Sequence, residues 1–552
     1  MALRTTILTL IVLPALFAQT AVVSPDLLAV DPNEAVDVII QYKPGHQKRA
    51  PARPSAVWGQ MRNGGALRAA QPLETINGEV GSLTAAEVRA LANDPDVAYI
   101  SPDRPVKGSL DYVAPTTFAN LAYSNGKMGS GNAVAVIDSG ISSNQDFDNG
   151  ARIVYSQSFV PDEDASDYFG HGTHVAGIIA GSAANSTGTV YTRTFRGIAP
   201  KANLVNLKVL DRNGSGKDSQ VIAAIDKAIL LKSTYKIVAI NLSLGRGVFE
   251  SYKLDPLCQA VERAWKAGIT VVVAAGNYGR DNSFGTNGYG TITSPGNDPY
   301  VITVGAMKTM NTPSRADDRI ASYSSKGPTL IDRIVKPDLV APGNRVISVL
   351  GIQGNLATKF PANIVSKDTY STTTSASAGF YYRLSGTSMA APTVTGAVAL
   401  MANSQTTPDI IKARLMKTAT KAFPTYSLAT DPETGTTYTS QYDLFTVGAG
   451  YLDIWAALNN TDVVKGPALS PVAVYNTSKS TYSVSFARGT VWNSSLVWGQ
   501  SLVWGQTLLS GTSLVWGSGI CWGEGILWGE GIVWGDSLVW GESLNVAING
   551  EN

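Results

Sequence analysis

Five nearly continuous apolar runs alternate with helical patterns through the middle of the chain. The runs cover residues 133–138, 202–210, 237–244, 269–276 and 301–307. Strands covered by helices on both faces carry apolar side chains on both faces, so runs of this kind are typical of a buried parallel sheet. The helical patterns between the runs cover 172–181, 220–231 and 256–268. This alternation predicts an α/β fold with helices on both faces of a mostly parallel sheet.

The helical patterns continue beyond the last apolar run. They cover roughly 388–403, 408–420 and 452–459. We therefore place one large domain at 115–460 and a linker or small β region at 461–490.

Two shorter segments precede this domain. Residues 1–20 combine one basic residue, a short apolar run and small residues, which is typical of a secretory signal peptide. That run is too short to cross a bilayer. Residues 36–107 form a small unit of their own. Its pattern predicts a strand, a helix and a second strand, at 37–43, 83–94 and 96–106.

A tandem repeat occupies residues 491–544. Its tryptophans are six or twelve residues apart, at positions 492, 498, 504, 516, 522, 528, 534 and 540. An extended chain has period two and places all of them on one face, whereas a helix scatters them, so the repeat predicts β-type structure. Its role stays open between surface attachment through tryptophan faces, a strand packed on the large domain, and sugar binding by stacked tryptophans.

The composition argues against nucleic acid as a partner and indicates the role of one of the two cysteines. Lys and Arg number 43 against 42 Asp and Glu, so a net charge of +1 gives no reason to expect nucleic acid. The two cysteines are Cys258, in a helical pattern, and Cys521, in the repeat. We interpret Cys258 as a small buried apolar group rather than as half of a disulfide.

Three segments place reactive side chains where a buried element meets a turn. Asp138 ends the apolar strand of AVIDSG, His171 opens the helical pattern of HGTHVAG, and Ser388 lies at the start of a helix in SGTSMAAP. A serine hydroxyl needs a base within hydrogen-bond reach, and the base needs an orienting partner. The three residue types therefore predict nucleophilic hydrolysis. Because no G-x-S-x-G elbow surrounds Ser388, the pattern argues against a lipase or esterase.

The same segments resemble the signature blocks of the subtilisin family of peptidases. AVIDSG, HGTHVAG and GTSMAAP match its three main blocks in its order Asp, His, Ser. INLSLG at 240–245 and VVAAGN at 272–277 resemble two further blocks. The resemblance covers roughly 130–460. It implies a three-layer α/β fold and a serine endopeptidase that acts on proteins or peptides.

The resemblance also implies a role for individual residues. Asp138 would orient His171, and His171 would deprotonate Ser388 and then protonate the leaving amine. Asn277 would donate its side-chain amide to the oxyanion, with the Ser388 N–H as second donor. Two chain edges would bind an extended peptide, Ser243, Leu244 and Gly245 on one side and Gly214, Ser215 and Gly216 on the other. The segment around Gly214 also fits an ordinary turn.

The family resemblance extends to the small unit at 36–107, which is similar to an inhibitory propeptide. It implies a zymogen whose own propeptide acts as an intramolecular inhibitor until the chain is cut near 105–118. The chemistry requires no cofactor and no catalytic metal. Family members often bind structural Ca²⁺, and Asp146 stands where the family often supplies one ligand, so a calcium site is left open.

Two other functions compete with a secreted endopeptidase. One is a non-enzymatic, surface-attached binding protein on the same scaffold, whose repeat would bind a cell-surface partner. The other is a serine esterase, which would cleave small esters and leave proteins intact. The presence of Asp138, His171, Ser388 and Asn277 together favours the endopeptidase.

Overall fold

A computed structural model of the chain contains two compact units, residues 1–106 and 107–552. It describes residues 22–24, 27, 35–43, 71–73, 77–102, 110–283, 285–372, 379–431, 434–476, 481–491 and 550–551. The predicted signal peptide at 1–20 and, apart from Val491, the tryptophan repeat at 491–544 lie outside the described residues.

The smaller unit is a five-stranded sheet with one helix, in strand order β1-β5-β2-β4-β3. Its elements are β1 (Val22–Val23), β2 (Ala35–Tyr42), β3 (Gln71–Leu73), β4 (Gly78–Thr84), α1 (Ala85–Leu91) and β5 (Val97–Pro102). Helix α1 begins after Thr84, whose hydroxyl accepts from the Glu87 amide while the Glu87 carboxylate accepts from the Thr84 N–H. Val88 and Leu91 of α1 are buried in the core of this unit.

The larger unit carries the remaining strands and helices. Its strands are β6 (Ala133–Asp138), β7 (Ile153–Ser158), β8 (Asn203–Lys208), β9 (Ile237–Leu242), β10 (Thr270–Ala274), β11 (Ile302–Lys308), β12 (Arg319–Ile320), β13 (Leu339–Pro342), β14 (Val346–Val349), β15 (Ile364–Val365), β16 (Tyr381–Leu384), β17 (Tyr426–Thr430), β18 (Thr437–Gln441), β19 (Val472–Asn476) and β20 (Thr481–Ser485). Its helices are α2 (Leu110–Thr116), α3 (Ala119–Ser124), α4 (His171–Ala180), α5 (Asp218–Tyr235), α6 (Pro256–Lys266), α7 (Asn355–Lys359), α8 (Thr387–Met401), α9 (Pro408–Thr418), α10 (Leu444–Val447) and α11 (Ile454–Asn459).

The central sheet has eight strands, in the order β12-β11-β10-β9-β6-β8-β7, with β13 also paired to β11. Every pair is parallel except β11 with β12. Each of the five apolar runs contains one strand of this sheet, and β6, β10 and β11 are buried along their whole length. The prediction of an α/β fold with a mostly parallel sheet is confirmed.

Helices cover the sheet on both faces, which gives three layers. Helices α4 and α8 pack against each other, and α8 lies across β9, β10, β11 and β13. Helices α5 and α6 form a second packed pair, with α5 against β9 and α6 against β10. Within the described part of the chain, no helix is long and apolar enough to cross a membrane.

The segment after the large domain contains a two-stranded hairpin, β19 with β20. It is attached to the larger unit by backbone hydrogen bonds from Val335 to Pro471 and from Ala473 to Arg333. Thr490 and Val491 end this segment as buried residues, and Val491 belongs to the main core cluster. The chain therefore enters the repeat from an anchored point on the larger unit.

Candidate active site

The carboxyl ends of β6, β8, β9 and β10 lie along one edge of the sheet, because these strands run parallel. Asp138 is the last residue of β6, in register with Lys208 at the end of β8. Ser243 follows β9 directly, and Asn277 lies three residues beyond β10. This is the edge where open α/β sheets place ligand-binding groups.

Asp138 and His171 form a buried hydrogen-bonded pair. Their side chains are fully buried, and His171 Nδ1 lies 2.7 Å from Asp138 Oδ1. The same Asp138 oxygen accepts from the Ser139 amide at 2.7 Å. Since an ionised Asp138 carboxylate can only accept this hydrogen bond, the ring proton of His171 lies on Nδ1, and Nε2 is the basic nitrogen.

Asp167, which the sequence analysis missed, organises the turn that carries His171. Its carboxylate accepts from the Gly170 amide at 2.7 Å, the Thr173 amide at 2.8 Å and the Ser139 hydroxyl at 2.8 Å. Asp167 thereby fixes the first turn of α4 to the residue after Asp138. An acidic residue just before a helix start is the local signal that could have identified it.

Ser388 is the second residue of α8, and it forms two hydrogen bonds with Ser243. Its hydroxyl donates to the Ser243 carbonyl at 3.2 Å, and the Ser243 hydroxyl donates to the Ser388 carbonyl at 2.8 Å. Asn241 supports this contact by donating to the Ser243 hydroxyl at 2.9 Å. Because α8 packs on α4, the helices that carry Ser388 and His171 are neighbours.

Asn277 is held in one amide orientation. Its Oδ1 accepts from the Thr387 amide at 2.9 Å and from the Thr387 hydroxyl at 3.0 Å, so its Nδ2 points away from Thr387. A Cβ placed on Gly386 would lie 3.2 Å from Asn277 Nδ2 and 3.7 Å from the Ser388 nitrogen. Two nitrogen donors therefore border one small space beside the serine, which is the arrangement that stabilises an oxyanion.

Comparison with known proteins identifies the family of the larger unit. The family model of the subtilase family matches residues 129–450, more than half of the chain. The chain belongs to the subtilase family. It is 38% identical to serine protease AprX of Bacillus subtilis, over 58% of this chain and 68% of that protein. It is 35% identical to subtilisin E of Bacillus subtilis, over 62% of this chain and 76% of that protein.

A third relative is the extracellular serine proteinase of Thermus sp., which is 35% identical over 57% of this chain and 63% of that protein. Membership of the subtilase family and the similarity to these proteases establish the class of reaction that the protein catalyses. The protein is a subtilisin-type serine endopeptidase, and its substrates are proteins or peptides.

The two predicted binding edges of this subtilase differ in how many backbone N–H and C=O groups they leave for hydrogen bonds to a peptide substrate. Ser215 uses both backbone groups inside its turn, donating to the Asp211 carboxylate at 3.0 Å and accepting from the Asp211 amide at 2.7 Å. Gly214 packs against the ring of Phe169, with φ of +80° and no room for a Cβ. On the other edge, Leu244 and Gly245 follow β9 outside its ladder.

His174 lies one turn beyond His171 and has a structural position. Its Nε2 donates to the carbonyls of Val346, at 3.1 Å, and Tyr382, at 3.0 Å. Burial and, to a smaller extent, the nearby His171 together lower its pKa to about 3. Among the described residues, no group of three or more His, Cys, Asp or Glu side chains could hold a metal ion.

Asp146 does not fit the calcium ligand that the family resemblance suggests. One of its carboxylate oxygens accepts from the Asn185 amide at 2.8 Å, and the other accepts from the Tyr381 hydroxyl at 3.0 Å. The guanidinium of Arg152 donates to the Asp146 carbonyl and, at 2.8 Å, to the Ala180 carbonyl. Protein donors thus occupy the oxygens that a cation would need.

Cys258 is a buried free cysteine, as its helical pattern predicts. Its Sγ donates to Asn297 Oδ1 at 3.2 Å, and burial raises the pKa of the thiol. Its former candidate partner, Cys521, lies outside the described residues. Cys258 takes no part in the active-site chemistry.

Proposed function

We propose that this subtilase is a secreted endopeptidase, made as a self-inhibited zymogen, whose catalytic triad is Asp138, His171 and Ser388. The observation that carries the triad is the 2.7 Å contact between the buried Asp138 and His171 side chains. A buried aspartate that accepts from one ring nitrogen leaves the other nitrogen as a general base.

In the proposed reaction, His171 Nε2 takes the proton of the Ser388 hydroxyl as the oxygen attacks the scissile carbonyl. Asp138 stabilises the resulting imidazolium and remains ionised. The imidazolium then protonates the leaving amine, which gives an acyl-Ser388 ester. A water molecule repeats the sequence on the ester, with His171 as base, and releases the acid.

The negative charge of the tetrahedral intermediate falls between the Asn277 side-chain amide and the Ser388 amide. Thr387 holds the Asn277 carbonyl oxygen with two donors, so the amide nitrogen is oriented before substrate arrives. Preorganised donors of this kind need no reorganisation as charge develops. Thr387 is therefore a positioning residue in this proposal.

Substrate binding is assigned to the same two edges that the sequence analysis named. The edge after β9 comprises Ser243, Leu244 and Gly245, and its carbonyl at Ser243 also accepts from Ser388. On the opposite edge, comprising Gly214, Ser215 and Gly216, the turn uses both backbone groups of Ser215 and the Gly214 amide, which donates to the Asp211 carbonyl at 3.0 Å. The Gly214 carbonyl and the backbone of Gly216 are therefore the groups assigned to the substrate on this edge. Recognition through backbone groups tolerates many side chains.

Activation and export complete the proposal. The small unit folds as a separate body with its own core, which suits a propeptide that folds before it inhibits. Segment 1–20 directs secretion to the extracellular space or cell surface. Cleavage is expected near 105–118, between the two units.

The proposal is tested with a serine-directed phosphonate, a casein assay and the mass of the purified protein. Wild type should react at Ser388, hydrolyse casein and release a fragment cut near 105–118. Ser388→Ala and His171→Ala should neither hydrolyse casein nor release the fragment, whereas Ser404→Ala, at an exposed serine after α8, should behave as wild type. Casein hydrolysis that persists in Ser388→Ala would refute the triad, and a fragment still released from Ser388→Ala would refute self-processing.

A further inference from the structure

Glu551 is a buried carboxylate inserted into the larger unit, far along the chain from everything it touches. Its side chain is 3% exposed and lies 2.7 Å from Arg280 Nη2 and 3.1 Å from Lys308 Nζ. It also accepts from the Ser322 amide, at 3.1 Å to either oxygen, and from the Ser322 hydroxyl. Two cations and two neutral donors therefore surround one carboxylate.

The backbone of the same segment is bound as closely as its side chain. Asn344 accepts from the Glu551 amide at 2.9 Å and donates to the Glu551 carbonyl at 2.8 Å. This paired contact fixes the direction of the chain. Gly550 has φ of +68°, and a Cβ there would lie 2.5 Å from Arg345 Cγ and 2.6 Å from Ser385 Oγ. The site therefore fits glycine followed by an acidic residue.

The elements that form this pocket also carry the proposed oxyanion site. Arg280 lies three residues after Asn277, and Ser385 directly precedes Gly386. Lys308 ends β11 and is 4% exposed, and Arg280 is shared with Asp431 at 2.7 Å. Burying such cations is costly unless an anion meets them, so the pocket is built for a carboxylate.

The Gly-acid pair that fills the pocket recurs through the tryptophan repeat. Four of the hexads continue from tryptophan into Gly-Glu or Gly-Asp, at 523–524, 529–530, 535–536 and 541–542. Earlier hexads carry Gly-Gln or Gly-Ser in its place, at 499–500, 505–506 and 517–518. The later repeats thus present the same two residues that the pocket binds at 550–551.

We propose that Arg280, Lys308, Ser322 and Asn344 form a recognition site for a Gly-Glu dipeptide, occupied by Gly550–Glu551 of the same chain. Val491 and Glu551, the described residues on either side of 492–549, are both buried in the larger unit. The proposal is independent of the catalytic mechanism.

The experiment measures hydrogen exchange of the Ser322 amide in the full chain, in a Ser388→Ala background that prevents self-digestion. Glu551→Gln should accelerate exchange of that amide by roughly tenfold or more, because a charge-assisted hydrogen bond is lost. Gly550→Ala should do the same without removing a charge, since its Cβ blocks the bound conformation. Glu262→Gln breaks an exposed ion pair with Lys266 and should leave the exchange unchanged.

A peptide then tests the recognition directly. Ile-Leu-Trp-Gly-Glu-Gly, the sequence of residues 526–531, is added to the Glu551→Gln protein. It should restore protection of Ser322 saturably, and the peptide with Gln in place of Glu should not. Unchanged Ser322 exchange in both Glu551→Gln and Gly550→Ala would overturn the docking. Equal protection by the Glu and Gln peptides would overturn the carboxylate recognition.

Discussion

Acid is expected to destabilise the protein through His174. The ring is fully buried, its Nε2 donates to two carbonyls, and its Nδ1 has no hydrogen-bond partner among the described residues. Protonation adds a second N–H and a charge in a site that offers neither an acceptor nor a counter-ion to it. Desolvation therefore lowers its pKa to about 3, with a further contribution from His171.

The sign and size of the effect follow from linkage. The unfolded chain binds a proton at His174 below pH ~6.5, and the folded chain does so only near pH 3, so stability falls as the pH drops through this window. The whole interval corresponds to about 5 kcal/mol, and about 2 kcal/mol is lost by pH ~5. Losses of that size are a large fraction of the stability of an ordinary domain.

Urea unfolding of the Ser388→Ala protein, followed between about pH 7 and pH 4, measures this loss. The matched variant is His174→Gln, whose amide can replace the Nε2 donor but does not titrate. The variant is expected to be less stable than its parent at pH ~7 and to lose less stability on acidification. Parallel stability curves for the two proteins would refute the assignment of the acid sensitivity to His174.

Four further predictions follow from particular contacts. Asp167→Asn should lower kcat about 10- to 100-fold and also lower the unfolding temperature, because the buried His171 turn loses acceptors for its amides; equal kcat in both proteins would contradict this. Thr387→Ala should lower kcat about tenfold at constant KM, and Thr387→Ser should restore it, since the lost hydroxyl donates to Asn277 and accepts from the neighbouring Gly276 amide. Burial and Glu262 raise the pKa of Asp298 to about 8, so ionising it in the folded protein costs stability as the pH rises towards 8. Asp298→Asn should therefore raise the unfolding temperature at pH ~9 and leave it unchanged at pH ~4. Any change that chelation with EDTA makes to the unfolding temperature should be equal in wild type and Asp146→Asn; a loss seen only in wild type would show that Asp146 binds a cation.

The central sheet could be predicted because its signal is local and redundant. Each apolar run contains a strand, and burial on both faces removes the ambiguity of a single amphipathic pattern. The first and last residues of helices and strands were predicted less accurately. The helix expected at 220–231 spans Asp218–Tyr235, because its final turn carries polar residues that the apolar pattern does not mark.

The candidate site could be predicted in part. Asp138 and His171 stand at element boundaries, and the structure brings them together across 33 residues of sequence. Asp167 was missed because its contribution lies in which amides it accepts from, and that depends on the turn around Gly170. The protein partners of Asp146 could not be predicted either, since its tyrosine donor lies 235 residues away along the chain.

The Glu551 pocket shows why some sites are invisible to local patterns. Its four residues come from three loops and the end of β11, and Glu551 lies 229 residues from Ser322 along the chain. The sequence nevertheless contains a signal related to the pocket, because Gly-acid pairs occur every six residues from 523–524 to 541–542, before Glu551. The four later hexads carry an acidic charge that the tryptophan spacing does not require, whereas the earlier hexads carry Gln or Ser at that position. The charge therefore gains an explanation only when a binding site for it is found.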